Sequence, residues 1–257
     1  MWKTLSAAIR SQGKIVINVA SSGIASLLLP GGKTAHSTFC IPLKINEKST
    51  CNVKQKDPRA KLLREASLII WDEAPMTHKF CFEAFDCTMR DIMKVVDEDN
   101  LNKPFGGKVV ILGGDFRKIL PVIRKARRRD IMKSTVNSSN IWHSCKVLKL
   151  TKNMRLIGDG TSDSANEIRD FAKWILKIGN GDMVADEDVE SIIDIPEDLC
   201  IPLCNNPIQA LVDFVYPGIV NNIDNRRIFE EKTILAHTLD SMEQVNEYVL
   251  SIIDGST

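Results

Sequence analysis

Two adjacent acids, Asp72 and Glu73, follow a run of four apolar residues (68–71, LIIW) and precede an Ala-Pro pair. The run is typical of a buried parallel strand, and the acids then lie at its C-terminal edge, where α/β proteins bind ligands. There Asp72 can hold Mg²⁺, directly or through water, and Glu73 can polarise a water for attack on a γ-phosphate. The pattern is that of a Walker B strand in a nucleotide hydrolase. A strand that simply ends in two solvated acids explains it equally well.

The elements around these acids alternate between strands and helices. Apolar runs predict strands at 15–20, 68–71, 108–114, 146–150 and 233–236, and 3.6-residue periodicity with Gly or Pro stops predicts helices at 2–12, 21–29, 77–97, 163–178 and 239–252. This order favours a parallel α/β sheet. The tract 46–59 is polar and indicates an insertion.

Composition describes an ordinary globular chain of 257 residues with a formal net charge of +1. Its charge is unevenly placed, because residues 117–133 hold eight Lys or Arg against one acid and residues 181–200 hold eight acids and no base. The basic run suits a polyanion or a solvated loop equally well. Seven scattered cysteines without a CxxC pair indicate a reducing, intracellular compartment. We expect neither a membrane span nor a signal peptide.

Four more segments lie in order around the acids: 19–26 (VASSGIAS), 31–39 (GGKTAHSTF), 112–122 (LGGDFRKILPV) and 150–155 (LTKNMR). In this order and spacing the chain resembles the Pif-type (petite integration frequency) DNA helicases of superfamily one, and among them the helicase part of Helitron-like proteins. The resemblance covers residues 1–156 and resumes at 233–250. It implies a RecA-like P-loop NTPase lobe at 1–145, with a polar insertion at about 43–65, and a partial second RecA-like lobe at 146–257.

The resemblance also implies which residues face single-stranded DNA. Ser21, Ser22 and Gly23 match a motif whose hydroxyls and helix start accept phosphates, and capping of the helix is the alternative reading for both serines. A second DNA-facing motif is matched by Thr34, His36, Ser37 and Phe39. In it a ring stacks on a base, whereas Phe39 as a plain core residue is the alternative.

For the nucleotide, the resemblance implies ATP with Mg²⁺ held by Asp72, with Glu73 as base. Lys118 stands where the family places a Gln that senses the γ-phosphate, so phosphate contact is kept while its coupling to DNA is in question. Arg155 matches the arginine finger that stabilises charge in the transition state. The implied activity is 5′–3′ unwinding in DNA repair, recombination or telomere maintenance in the nucleus.

The family's glycine-rich phosphate loop would precede residue 2, and the sequence shows none there. We therefore expect a truncated copy that is impaired in ATP hydrolysis. One alternative is a non-catalytic, transposon-derived fragment that retains weak binding of single-stranded DNA or of protein. An unrelated P-loop ATPase is a further alternative, although such proteins have no use for the segments at 112–122 and 150–155. The oligomeric state is left open.

Overall fold

The computed structural model describes residues 1–156, 163–182, 193–202 and 204–253. The chain divides into two compact units, Met1–Asp182 and Met183–Thr257. The predicted lobe boundary at 145 falls inside the first unit and stays a prediction.

The first unit is built on a four-stranded sheet in which each neighbouring pair is parallel. The strand order is β2-β1-β3-β4, with β1 at Ile15–Ala20, β2 at Lys33–Thr34, β3 at Ala66–Asp72 and β4 at Val110–Leu112. The strands predicted at 15–20 and 68–71 are therefore confirmed, and the one predicted at 108–114 forms over three residues. The acids end a strand that lies between two others.

The first unit also contains helices and short 3-10 turns. The helices of the first unit are α1 (Trp2–Arg10), α2 (Gly23–Leu27), α3 (Ala35–Phe39), α4 (Pro58–Glu65), α5 (Lys79–Met93), α6 (Arg128–Ser134) and α7 (Asp163–Asn180). The predicted insertion contains α4, whose Ala60 and Leu63 are buried. That tract is therefore anchored to the core by its last turns.

Both faces of the sheet are covered, which explains why the strands are continuous apolar runs. Alternate strand residues point to opposite faces. Ile17, Val19, Ile69 and Trp71 belong to the larger core with α5, whereas Val16, Leu68 and Ile70 pack with Trp2, Leu5 and Ile9 of α1.

An aromatic cluster fills the larger core. The Phe39 and Phe85 rings stack at 4.0 Å between centroids, and the Trp71 ring lies 4.5 Å from that of Phe82 and 5.5 Å from that of Phe39. These four side chains have no exposed surface. Burying each phenyl ring stabilises the fold by about 1.5–3 kcal/mol.

All seven cysteines are free, and two of them are core residues. Burial raises the pKa of the Cys51 thiol to about 12 and that of the Cys81 thiol to about 11. These two thiols are packing groups, because the reactive thiolate form is suppressed at neutral pH.

The strand predicted at 146–150 is wrong. Residues 146–150 form no regular element and are exposed. The alternating sequence KVLKL has the strand period, but a strand also needs a neighbour with which to exchange backbone hydrogen bonds.

In its described residues the second unit is helical. It contains α8 (Pro207–Val215), α9 (Arg226–Glu231) and α10 (Leu239–Ile253), with 3-10 turns at Glu197–Leu199 and Ile219–Asn222. The helix predicted at 239–252 is confirmed, while the strand predicted at 233–236 is wrong. Ile234 and Ala236 instead line an apolar hollow with Met242 and Val245 of α10. The RecA-like character of a second lobe stays a prediction.

Half of the acidic tract 181–200, residues 183–192, lies outside the described residues. Within the parts of the chain that the structure describes, every helix is too short or too polar to cross a membrane.

Candidate functional site

The C-terminal edge of the sheet gathers four of the sequence segments. In the strand register, Ala20 of β1 lies beside both Thr34 of β2 and Asp72 of β3, and Trp71 lies beside Leu112 of β4. The residues that follow these strands therefore leave the sheet at one edge. This is the edge at which parallel α/β sheets bind ligands.

Asp72 and Glu73 differ in backbone conformation and in partners. Asp72 is half-buried, and among the described residues none forms a hydrogen bond or ion pair with its carboxylate. Glu73 adopts the left-handed conformation, with φ 53° and ψ 39°, and begins the 3-10 turn Ala74–Met76. A non-glycine residue in this region costs about 1–3 kcal/mol, so the surrounding contacts must hold it.

Two glycines allow the segment after β4 to approach the acids closely. Gly113 donates its N–H to the Trp71 carbonyl at 2.8 Å and accepts from the Ala74 N–H at 2.8 Å. A Cβ on Gly113 would lie 3.0 Å from Asp72 Oδ1, and a Cβ on Gly114, whose φ is +157°, would lie 2.2 Å from Pro75 Cδ. A Cβ on Gly113 would meet the Trp2 ring first, at 2.3 Å from Cζ2, so only the one on Gly114 would collide with the turn that carries Glu73. Glycine at 114 lets the segment pass that turn.

Lys118 meets Glu73 directly. Its Nζ donates to Glu73 Oε1 at 2.7 Å, with the lysine side chain 57% exposed and the glutamate side chain 21% exposed. The residue in the family's γ-phosphate-sensing position is thus brought to the predicted base. Both charges are satisfied by each other in this conformation.

A second ion pair shapes the same loop. Arg117 donates from Nε and Nη2 to the two oxygens of Asp115, each at 2.9 Å. Hydrogen bonding from Arg117 holds the pKa of the Asp115 carboxyl below its usual value. The pair leaves Asp115 ionised at neutral pH.

The Ser21 hydroxyl is turned inward. It accepts from Trp71 Nε1 at 3.0 Å and from Thr77 Oγ1 at 2.7 Å, and the Ser21 N–H donates to the Asp72 carbonyl at 3.0 Å. Ser21 is thereby tied to the strand and turn that carry the two acids. Its predicted DNA contact stays a prediction.

Ser22 and Gly23 form the start of α2. The Ser22 hydroxyl accepts from the Ala25 N–H at 3.2 Å, which is helix capping, and Gly23 is exposed. The capping alternative holds for Ser22. Capping occupies a hydroxyl lone pair and leaves its proton free to donate.

The second DNA-facing segment caps α3. Thr34 accepts from the Ser37 N–H at 3.3 Å, and the two hydroxyls are 2.8 Å apart. Ser37 is exposed, whereas His36 is half-buried with Nε2 3.9 Å from Cys81 Sγ. Burial lowers the pKa of His36, so its ring is neutral at pH 7.

Phe39 is where the structure departs from the predicted site. Its ring has no exposed surface and stacks on Phe85, so neither face is open to a base. The stacking role is corrected to the core alternative. A five-residue helix that starts at the sheet edge turns its last residue back toward the aromatic cluster.

Arg155 lies in the 3-10 turn Met154–Leu156. Its side chain is outside what the structure describes, so the arginine-finger role stays a prediction.

Sequence reasoning missed Thr77 and the Trp71 indole. Both donate to Ser21, and both are buried, Thr77 to 5% exposure and Trp71 to 0%. A hydroxyl four residues after Glu73 was the available signal, since a buried hydroxyl needs a partner.

Mg²⁺ fits this edge through Asp72 alone. Among the described residues no group of three or more His, Cys, Asp or Glu side chains could enclose a metal ion. Mg²⁺ commonly binds through one or two carboxylates, keeps several waters and takes its other ligands from substrate phosphates. A lone, unpaired carboxylate is therefore a suitable donor set when a nucleotide supplies the rest.

Comparison with known proteins identifies a family for this chain. The family model described as PIF1-like helicase matches residues 1–189. The chain is similar to the ATP-dependent DNA helicase PIF4 of Trypanosoma brucei brucei, at 32% identity over 126 residues, which are 47% of this chain and 14% of that protein. It is also similar to the ATP-dependent DNA helicase Pif1 of a Psychrobacter species, at 30% identity over 116 residues, covering 44% of this chain and 16% of that protein.

A solved structure shares the fold. The crystal structure of Bacteroides Pif1 bound to ssDNA matches 72% of this chain and 41% of its own chain, with a TM-score of 0.54 and 25% identity. The chain thus spans less than half the length of each of these relatives. The α/β, RecA-like assignment of the parallel sheet is confirmed.

Proposed function

This chain belongs to the PIF1-like helicase family, and we propose that the whole protein is an ATP-dependent DNA helicase that acts on single-stranded DNA. The observation that carries the proposal is the register at the sheet edge, which sets Asp72 beside Ala20 and Trp71 beside Leu112. The acids assigned to nucleotide chemistry and the segment assigned to DNA therefore follow neighbouring strands at the same edge of the sheet.

Asp72 would hold Mg²⁺ together with the nucleotide phosphates. The ion, when bound, neutralises charge that develops on the phosphoryl oxygens. Glu73 orients the attacking water and accepts its proton, for which it must exchange Lys118 for that water. Lys118 then reaches the γ-phosphate as a point charge. Arg155 completes the site as the finger.

Single-stranded DNA would lie across the starts of α2 and α3. Ser22 donates its hydroxyl proton to a phosphate, and Ser37 does so after exchanging its bond to the Thr34 carbonyl for one to the DNA. Gly23 lets the backbone approach closely, and the Thr34 hydroxyl and the His36 ring contact the same DNA backbone. We include in the proposal what the sequence resemblance implies, namely 5′–3′ movement and roles in repair, recombination or telomere maintenance in the nucleus.

A second candidate is a protein that binds DNA without hydrolysing ATP. The Lys118–Glu73 pair favours it, because a base held by an ammonium is not free to take a proton. The two candidates differ in whether nucleotide turnover accompanies DNA binding.

Unwinding of tailed duplexes by the whole protein tests the proposal. We expect ATP-dependent strand separation from a 5′ tail and none from a 3′ tail or with a non-hydrolysable ATP analogue. If the protein binds both tailed duplexes but does not separate their strands when ATP is present, the helicase proposal is wrong and the second candidate remains. Unwinding from the 3′ tail alone would overturn the polarity.

A further inference from the structure

We infer that Ser21 is a positioning residue that links the DNA-facing segment after β1 to the turn that carries Glu73. The inference rests on the proposed function and gives one residue of the site a role different from DNA contact.

The Ser21 hydroxyl is saturated as an acceptor. A hydroxyl oxygen has two lone pairs and one proton, and here the lone pairs receive the Trp71 indole N–H at 3.0 Å and the Thr77 hydroxyl at 2.7 Å. The remaining proton points toward the Asp72 carbonyl at 3.5 Å, which already accepts from the Ser21 N–H at 3.0 Å. Every polar group of Ser21 other than its carbonyl is thus directed at residues 71–77.

These partners stand on both sides of Glu73. Trp71 and Asp72 precede it in β3, and Thr77 closes the 3-10 turn that Glu73 begins. Trp71 and Thr77 are buried, so neither donor can turn to water if Ser21 moves. Ser21 therefore clamps the two ends of the segment in which Glu73 is held in the left-handed conformation.

The other side of Ser21 is the DNA-facing segment. Ser22 follows by one peptide bond and caps α2 through the Ala25 N–H. A bound DNA strand that displaces Ser22 and Gly23 must rotate the peptide between residues 21 and 22. This rotation moves the Ser21 hydroxyl relative to the two groups that donate to it. Binding at this segment is thereby transmitted to the orientation of Glu73, and nucleotide binding is transmitted back by the same path.

Hydrogen exchange of the whole protein without DNA or nucleotide tests the clamp. Thr77→Val removes the donor and keeps the shape of the side chain, whereas Thr77→Ser keeps the donor. We expect the Ala74, Met76 and Thr77 amides to exchange about three- to tenfold faster in Thr77→Val and in Ser21→Ala, and Thr77→Ser to remain near the unmodified protein. Amides in the middle of α5 serve as the internal standard.

Equal exchange in all four proteins would overturn the inference. If the Thr77→Val protein does not fold, Ser21→Ala decides by the same comparison, because it removes the same hydrogen bond from the half-buried partner.

DNA-stimulated ATP hydrolysis then tests the transmission. We expect Thr77→Val to lower the ratio of turnover with single-stranded DNA to turnover without it by about fivefold or more, while DNA affinity stays within about twofold. An unchanged ratio in Thr77→Val, with weakened DNA binding in Ser21→Ala, would instead make Ser21 a direct DNA contact. A whole protein without any ATP hydrolysis would contradict the proposed function, and the exchange experiment would still decide the clamp.

Discussion

Lys118 Nζ lies 2.7 Å from Glu73 Oε1 and binds the carboxylate that we assign as the base. The pair is partly exposed, with Lys118 at 57%, so solvent limits its contribution to roughly 0–1 kcal/mol. A contact this weak can open when a nucleotide offers Lys118 a phosphate. The ion pair is therefore compatible with Glu73 acting as the base once a phosphate draws Lys118 away.

Replacement of Lys118 separates its two possible roles. Lys118→Gln removes the charge that holds Glu73 and keeps a hydrogen-bond donor, so we expect ATP turnover of the whole protein to rise by at most about fivefold. Lys118→Met removes the donor as well and should lower turnover. Steady-state hydrolysis measures both, with Lys79→Gln as a control, because the Lys79 ammonium contacts the Ser138 carbonyl and not Glu73. An equal loss in both variants would show that the ammonium itself is needed on the phosphate.

Phe39→Ala should destabilise the first unit by about 3–5 kcal/mol, because it removes a fully buried ring. Urea unfolding measures this loss. Phe116→Ala is the control, since Phe116 is 42% exposed and has an edge contact with Trp142, and we expect a smaller effect. A Phe39→Leu protein of nearly unchanged stability that has lost DNA binding would restore the stacking role.

Gly114→Ala should destabilise the protein by about 1–3 kcal/mol and displace the turn at Glu73, since its Cβ would lie 2.2 Å from Pro75 Cδ. Gly13→Ala is a matched control, because Gly13 also has a positive φ but nothing within 4 Å of its Cβ. Denaturant unfolding compares the two. Equal losses would mean that backbone conformation alone, without the contact with Pro75, requires glycine at 114.

Acid should weaken the fold through His36. Burial holds the pKa of His36 below its usual 6.5, so the unfolded chain binds the proton more tightly. The stabilisation is complete above pH 6.5 and is lost as pH falls toward the lowered pKa. We expect the free energy of unfolding to drop less between pH 7.5 and 5.5 in His36→Gln than in the unmodified protein.

The control for this measurement is His143→Gln, because residue 143 is exposed. An identical pH dependence in His36→Gln and the unmodified protein would contradict the assignment.

The strands of the sheet could be predicted where a continuous apolar run in the sequence identifies them. The strands at 15–20 and 68–71 are apolar runs because both faces of β1 and β3 are covered. The segments at 146–150 and 233–236 also contain β-branched and aliphatic residues, but they have no neighbouring strand in the described part of the chain, and a sequence does not state which strands are neighbours.

The position of Asp72 and Glu73 was predictable because an apolar run precedes them. The hydrogen bonds around the two acids were not predictable. The Ser21–Thr77 hydrogen bond joins residues 56 apart in the chain, and the Lys118–Glu73 bond joins residues 45 apart. Phe39 shows the limit most clearly, since a ring at the end of α3 can face DNA or core, and packing against Phe85 decides it.

DNA-stimulated ATP hydrolysis by the whole protein and by its Glu73→Gln variant tests the central claim most directly. We expect single-stranded DNA to stimulate turnover, and Glu73→Gln to reduce the stimulated rate by about 10²–10⁴-fold, as for loss of a general base. DNA affinity should be retained. Glu65→Gln, an exposed substitution at the end of α4, should leave the rate unchanged. Stimulated turnover that survives Glu73→Gln would contradict the assignment of the sheet edge as the hydrolytic site.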